Sequence, residues 1–177
     1  MVLQTALIFG DYMVLQRNKR VPVWGKGKPG ETVRVTIQGQ QWETGVCVDG
    51  SWKAQIGPLY LDEDLTMEFA SGEERIILKH VAVGEVWIAG GQSNMEFQMV
   101  FEQHYKEELP ECENPLLRFF NYPQVSYQEE LEEKKYSYEG FWRKADPENL
   151  PDQNGRDAPA ACMKICSKRC PHMECGE

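Results

Sequence analysis

The stretch that most limits what this chain can fold into is Val83-Gly84-Glu85-Val86-Trp87-Ile88-Ala89-Gly90-Gly91-Gln92-Ser93-Asn94-Met95-Glu96. It begins as a short apolar run suited to a buried strand, passes two glycines, and ends on small polar residues where an amphipathic helix would start. Glycine permits backbone angles closed to other residues, so a tight strand-to-helix turn is expected here. Such a turn holds a side chain at the carboxyl edge of an open α/β sheet, where ligands bind. The free N–H groups that open the helix favour negative charge beside it. Ser93 is the side chain so placed and is the candidate nucleophile. The bland alternative is an N-cap serine that only satisfies helix donors.

Before this stretch the chain reads as short strands with turn signals between them. Glu31 to Gln38 alternates cleanly, with Val33, Val35 and Ile37 on one face and Arg34, Thr36 and Gln38 on the other. Gly39-Gln40 is a turn into Gln41 to Val48, and Asp49-Gly50 is a hairpin signal leading to Trp52 to Ile56. Gly57-Pro58 breaks the chain again. Leu65 to Phe69 and Ile76 to Leu78 are two further strands joined through Ser71-Gly72-Glu73-Glu74, with His80 expected at the end of the last strand. Regularly spaced strands with Gly-rich turns predict a β-sandwich or jelly roll.

After Ser93 the period becomes helical. Met95, Met99 and Phe101 are spaced for one apolar face, and Pro110 is expected to end the helix. Trp87 and Phe97 are expected in the core. Leu116 to Asn121 reads as a buried strand, the second of a parallel sheet, and Gln128 to Lys135 as a solvated charge run. Strands alternating with helical patterns imply βαβ units and a three-layer α/β domain.

Three ordered blocks carry a family resemblance. Glu85-Val86-Trp87 followed by Gly91-Gln92-Ser93-Asn94-Met95-Glu96 resembles the nucleophile block of the sialate O-acetylesterases, which belong to the SGNH hydrolase superfamily. Asp11-Tyr12-Met13-Val14-Leu15-Gln16-Arg17, then Val21-Pro22-Val23-Trp24-Gly25 and Pro29-Gly30-Glu31, resembles the start of the β-domain that precedes the hydrolase domain. Phe141-Trp142-Arg143 with Ala145 to Pro151 resembles a segment downstream of the serine. The resemblance runs in order from about Leu7 to Pro151. It implies an α+β chain: a β-sandwich or jelly-roll domain over 1–82, the N-terminal part of an SGNH hydrolase domain over 83–152, and a divergent Cys-rich tail over 153–177. The implied activity is that of a serine carboxylesterase removing O-acetyl groups from sialic acids or related glycans. Ser93 would be the nucleophile and Gly91, Gln92 and Asn94 the oxyanion and substrate loop, with no metal or organic cofactor.

The chemistry also needs parts that the sequence does not offer. A serine hydroxyl requires an adjacent base, usually a histidine oriented by a carboxylate, and N–H donors aimed at the oxyanion. In the family an Asp-x-x-His block supplies the base. No aspartate here has histidine three positions on, and no Gly-x-Asn-Asp block occurs. Of the three histidines, His80 reads as a surface or satisfied residue. His104 would lie about 16 Å from Ser93 along a regular helix, too far to take its proton. His172 sits in the tail. The chain is therefore expected to be an incomplete and inactive version of the enzyme. The alternative is a non-catalytic β-sandwich module that binds carbohydrate or stabilises a partner domain, for which Trp24, Trp42 and Trp52 would have to share an exposed face.

Bulk properties bound the partners. A formal net charge of −9 argues against binding nucleic acid or anionic membrane, where Lys and Arg dominate affinity. No apolar run approaches the roughly 20 residues that span a bilayer, and no signal-peptide pattern opens the chain. Family members are often exported, so the compartment stays open between a cytoplasmic protein and one whose leader is missing. The expected partner is an acetylated glycan. In the tail, Cys162, Cys166, Cys170, His172 and Cys175 lack the C-x-x-C pairs of common zinc modules, and Pro171 stops any helix. Zinc binding, disulfide pairing and an out-of-frame, disordered end all remain open, the last being favoured. Cys47 and Cys112 are expected to be thiols.

Overall fold

The computed structural model describes residues 2–90, 97, 101, 103–121 and 141–148. The chain divides into two compact units, Met1–Val86 and Trp87–Glu177. The described residues are mostly β, with a single short α-helix.

The first unit holds eight strands: β1 (Gln4–Thr5), β2 (Val14–Gln16), β3 (Val21–Lys26), β4 (Thr32–Ile37), β5 (Gln40–Gly45), β6 (Ser51–Ile56), β7 (Asp62–Ser71) and β8 (Glu74–Gly84). They form a three-stranded sheet in the order β1-β3-β6 and a five-stranded sheet in the order β2-β8-β7-β4-β5. The alternation predicted for β4 holds: Val33, Val35 and Ile37 are buried. Arg34 faces Glu43 across the β4–β5 pair, with Nε 3.0 Å from Oε1. Val23, Trp52, Ala54 and Ile56 of the smaller sheet are buried, as are Met67, Phe69, Val81 and Val83 of the larger one. The two sets meet in one apolar core, where the Trp52 and Phe69 ring centroids are 5.7 Å apart. Burial of these side chains is the main stabilising contribution, about 1.5–3 kcal/mol for each large apolar group.

Two turns behave differently from their sequence signals. Asp49-Gly50 does not close a hairpin, because β5 pairs with β4 while β6 pairs antiparallel with β3. The turn carries the chain from one sheet to the other. Asp49 Oδ1 accepts from the Ser51 N–H at 2.9 Å and from the Ser51 hydroxyl at 2.6 Å, so its local chemistry is that of an Asx turn whatever follows. His80 does not end a strand either; it lies inside β8. There Leu65 pairs with Val81 and Met67 with Leu78, so β8 carries one residue more than β7 between those pairs. His80 takes φ +56°, in the region that histidine enters more readily than most residues.

The resembling blocks of this unit have local physical reasons. Gly25 sits opposite Thr5 where β1 pairs with β3, and a Cβ there would lie 1.9 Å from the Gln4 carbonyl oxygen. Gly30 adopts φ +83° in the turn before β4. Glu31 accepts from the hydroxyl of buried Ser71 at 2.9 Å and pairs with Lys28 at 3.0 Å.

The described part of the second unit holds α1 (Tyr105–Glu108), a 3₁₀ turn over Leu109–Glu111, β9 (Asn114–Phe120) and β10 (Trp142–Ala145). The α-helix stops before Pro110, as its ring requires. β9 was expected as a buried strand of a parallel sheet. It is half-exposed, and among the described residues it pairs antiparallel with β10, Phe119 opposite Arg143 and Phe120 opposite Trp142. Buried Cys112 and Ala145 form a small core with Tyr105, Leu109, Leu117 and Phe119. The buried Arg143 places its guanidinium 5.3 Å from the Phe119 ring centre and 5.2 Å from that of Phe141, the stacking that a planar guanidinium favours. The Phe141-Trp142-Arg143 block thus reads as a packing element.

Candidate active site

Two strands that run side by side lead into the segment that precedes Ser93 in the sequence. β2 follows the last residues of β8 in parallel, with Val14 opposite Ala82, Leu15 opposite Val83 and Gln16 opposite Gly84. Leu15 and Val83 are buried, which fixes the register, since a slip of one residue would turn both outward. At the end of β8 the Arg17 N–H donates to the Gly84 carbonyl at 2.9 Å. Side chains then take over. Gln16 Nε2 donates to Glu85 Oε2 at 2.9 Å, Arg17 Nε donates to Glu85 Oε1 at 2.6 Å, and Gln16 Oε1 accepts from the Val86 N–H at 3.0 Å. The hydrogen bond from Gln16, followed by that from Arg17, holds the Glu85 carboxyl below the usual carboxylate range. Solvent-accessible ion pairs contribute little to stability, and these two side chains remain 26% and 33% exposed. The larger effect of the cluster is geometric: it pins the backbone where β8 ends.

Beyond Val86 the chain has no regular structure as far as Gly90. Trp87 is 78% and Ile88 97% exposed. This corrects the expectation of a buried strand running to Ala89 and of Trp87 in the core. An apolar run becomes a buried strand only where neighbours pair with it and cover both faces, and no described strand pairs with Glu85–Gly90. Phe97 is also exposed, its ring centroid 6.2 Å from that of Phe101. Gly91, Gln92, Ser93 and Asn94 lie outside the described residues, as do Met95, Glu96 and Met99. The charge run 128–135 and the tail 153–177, with Cys162, Cys166, Cys170, His172 and Cys175, lie outside them too.

Two histidines are described. His80 Nδ1 lies 2.9 Å from Asp64 Oδ1, and its ring stacks on Tyr12 at 4.8 Å between centroids. His104 Nδ1 lies 3.3 Å from Glu107 Oε2 just before α1. Both are therefore engaged locally. Among the described residues no group of three or more His, Cys, Asp or Glu side chains is placed to hold a metal, and no helix is long and apolar enough to cross a membrane. Cys47 is an exposed thiol and Cys112 a buried one. The three tryptophans of the first unit do not share an exposed face. Trp52 is only 2% exposed, its indole N–H donating to the Lys26 carbonyl at 2.9 Å.

Two associations escaped the sequence reading. Gln16 and Arg17 meet Glu85 across almost 70 residues, and Asp64 meets His80 across a bulge. Neither spacing has a local signature. The only available signal for the first was that both partners sit in blocks resembling the same family.

No family model matches the chain. Over 166 residues it is 28% identical to the sialate O-acetylesterase of Mus musculus, a match that covers 86% of this chain and 30% of that protein. The sialate O-acetylesterase of Rattus norvegicus matches with the same identity and coverage. Among solved structures, a carbohydrate acetylesterase from Xanthomonas citri is similar in fold, with a TM-score of 0.77 at 23% identity, over 94% of this chain and 38% of that one. The chain thus spans about 30% of the length of the curated relatives it matches.

Proposed function

We infer that this chain, which is sialate O-acetylesterase-like over most of its length, carries the nucleophile-bearing part of a serine acetylesterase acting on acetylated carbohydrate. The observation that carries the reading is the similarity to sialate O-acetylesterases across 166 residues, in a chain whose three resembling blocks keep their order around Ser93. Ser93 Oγ attacks the carbonyl carbon of an O-acetyl ester as its proton passes to a base. The sugar hydroxyl leaves with a proton, and water then releases acetate from the acyl-serine. Gly91, Gln92 and Asn94 form the loop around the oxyanion, where N–H donors stabilise developing charge. Residues 1–82 form the accessory β-sandwich and 83–152 the opening of the SGNH hydrolase domain. The substrates are O-acetylated sialic acids or related glycans, and no metal or organic cofactor takes part.

The sequence contains no Asp-x-x-His block. The 177-residue chain alone is accordingly expected to turn over esters at only a residual rate, since losing triad members leaves little beyond binding and oxyanion contributions. A longer form that also carries such a block is expected to hydrolyse p-nitrophenyl acetate. There Ser93→Ala should lower kcat by at least about a thousandfold. Unchanged turnover in that variant refutes the assignment.

A further inference from the structure

We propose that Gln16, Arg17 and Glu85 are positioning residues, a clamp that fixes the backbone at Glu85 and Val86, where the chain leaves the β unit on the segment that carries Ser93. The proposal rests on the esterase reading for its purpose, but its geometry stands apart from it. Three contacts converge on two consecutive residues. Gln16 uses both ends of its amide, donating to Glu85 Oε2 at 2.9 Å and accepting from the Val86 N–H at 3.0 Å. Arg17 takes the other carboxylate oxygen at 2.6 Å, and its own N–H takes the Gly84 carbonyl at 2.9 Å. Gln16 is itself placed by the parallel pairing of β2 with β8, whose Leu15 and Val83 are buried. The backbone at Glu85 and Val86 is therefore tied to the core through two routes, side chain and strand.

A device for stability alone would not be built this way. Exposed ion pairs stabilise folds weakly, whereas a bidentate carboxylate held by two donors sets orientation. Ser93 lies eight residues beyond Glu85. Catalytic groups displaced by about 1 Å lose much of their rate, so a fixed starting point for that segment serves catalysis without touching substrate.

The test is amide hydrogen exchange on the 177-residue chain, with Gln16→Ala and the shape-preserving Glu85→Gln compared with wild type. Exchange at the Val86 and Arg17 amides, which are bonded to Gln16 Oε1 and the Gly84 carbonyl, should accelerate by about tenfold or more, while β4, β6 and β7 keep wild-type protection, because only the exit is released. Arg17→Lys, which keeps a cation within reach of Glu85, should restore part of the protection lost in Arg17→Ala. Unchanged exchange at the Val86 and Arg17 amides in both Gln16→Ala and Glu85→Gln overturns the proposal. So does an increase spread equally over the whole β unit, which would mark the cluster as a simple stability element. Acetylation of Ser93 by p-nitrophenyl acetate with imidazole added as the base, mapped on the same samples, reports on the esterase reading separately. Its absence with a localised exchange response sinks that reading and leaves the clamp standing.

Discussion

At the scale of single residues, the blocks that resemble the family resolve into specific contacts. Gly25 is there because the Gln4 carbonyl occupies the space of a side chain. Gly25→Ala should push β1 off β3 and destabilise the unit by about 1–3 kcal/mol, the usual effect of overpacking. Gly10→Ala, where nothing lies within 4 Å of the added carbon, should stay within about 0.5 kcal/mol in the same urea titration. Equal losses in the two variants would contradict the packing account. Glu31 makes a second prediction. The hydrogen bond from Lys28, and then that from Ser71, keeps its carboxyl below the ordinary range. Its folded value therefore lies under the unfolded one. The stabilisation is complete above the unfolded carboxylate value of about 4.3 and is lost as pH falls through the folded value. The Tm difference between wild type and Glu31→Gln should be largest near neutrality and should shrink below about pH 4. A difference that grows on acidification would reverse the sign argued here.

At the scale of elements, legibility followed periodicity. Strand β4 was readable because Val33, Val35 and Ile37 alternate with polar residues, and that alternation is what burial on one face demands. Pro110 likewise announced the end of α1, which gives way to a 3₁₀ turn at Leu109–Glu111 because proline has no N–H to donate. Pairing was not readable. Asp49-Gly50 specifies a tight turn but not the sheet that receives the next strand, so β6 left for β3 instead of returning along β5. The apolar content of Leu116–Phe120 matched a buried parallel strand equally well, and only its partner β10 settled the direction. The bulge in β8 was invisible because its histidine carries no signature until φ is known. That site yields a prediction. At φ +56° a β-branched side chain is strained, so His80→Val should be less stable than His80→Gly by about 1–2 kcal/mol. Thermal unfolding of the pair measures it, and a valine variant equal to the glycine one would deny the strain.

At the scale of the whole molecule, the chain joins a two-sheet unit to a segment of different character. The β unit buries apolar side chains from Leu3 to Val83. The described part of the second unit has only a small one around Cys112 and Ala145. The candidate nucleophile was legible from motif residues, but nothing local to those residues named its proton acceptor. A triad draws its members from separated parts of a chain, and of the two described histidines each is engaged with its own neighbours. Chemical rescue supplies a base from solution. Imidazole should let p-nitrophenyl acetate acylate the 177-residue chain, and the acyl group should persist once imidazole is removed, because its hydrolysis needs the same base. Mass-spectrometric mapping of the acetylated serines is the direct measurement. The account predicts that Ser93 is modified ahead of every other serine, and that Ser93→Ala abolishes the imidazole-dependent product without moving the label elsewhere. Acetyl groups spread evenly over the serines, with Ser93 no faster than the rest, would contradict it.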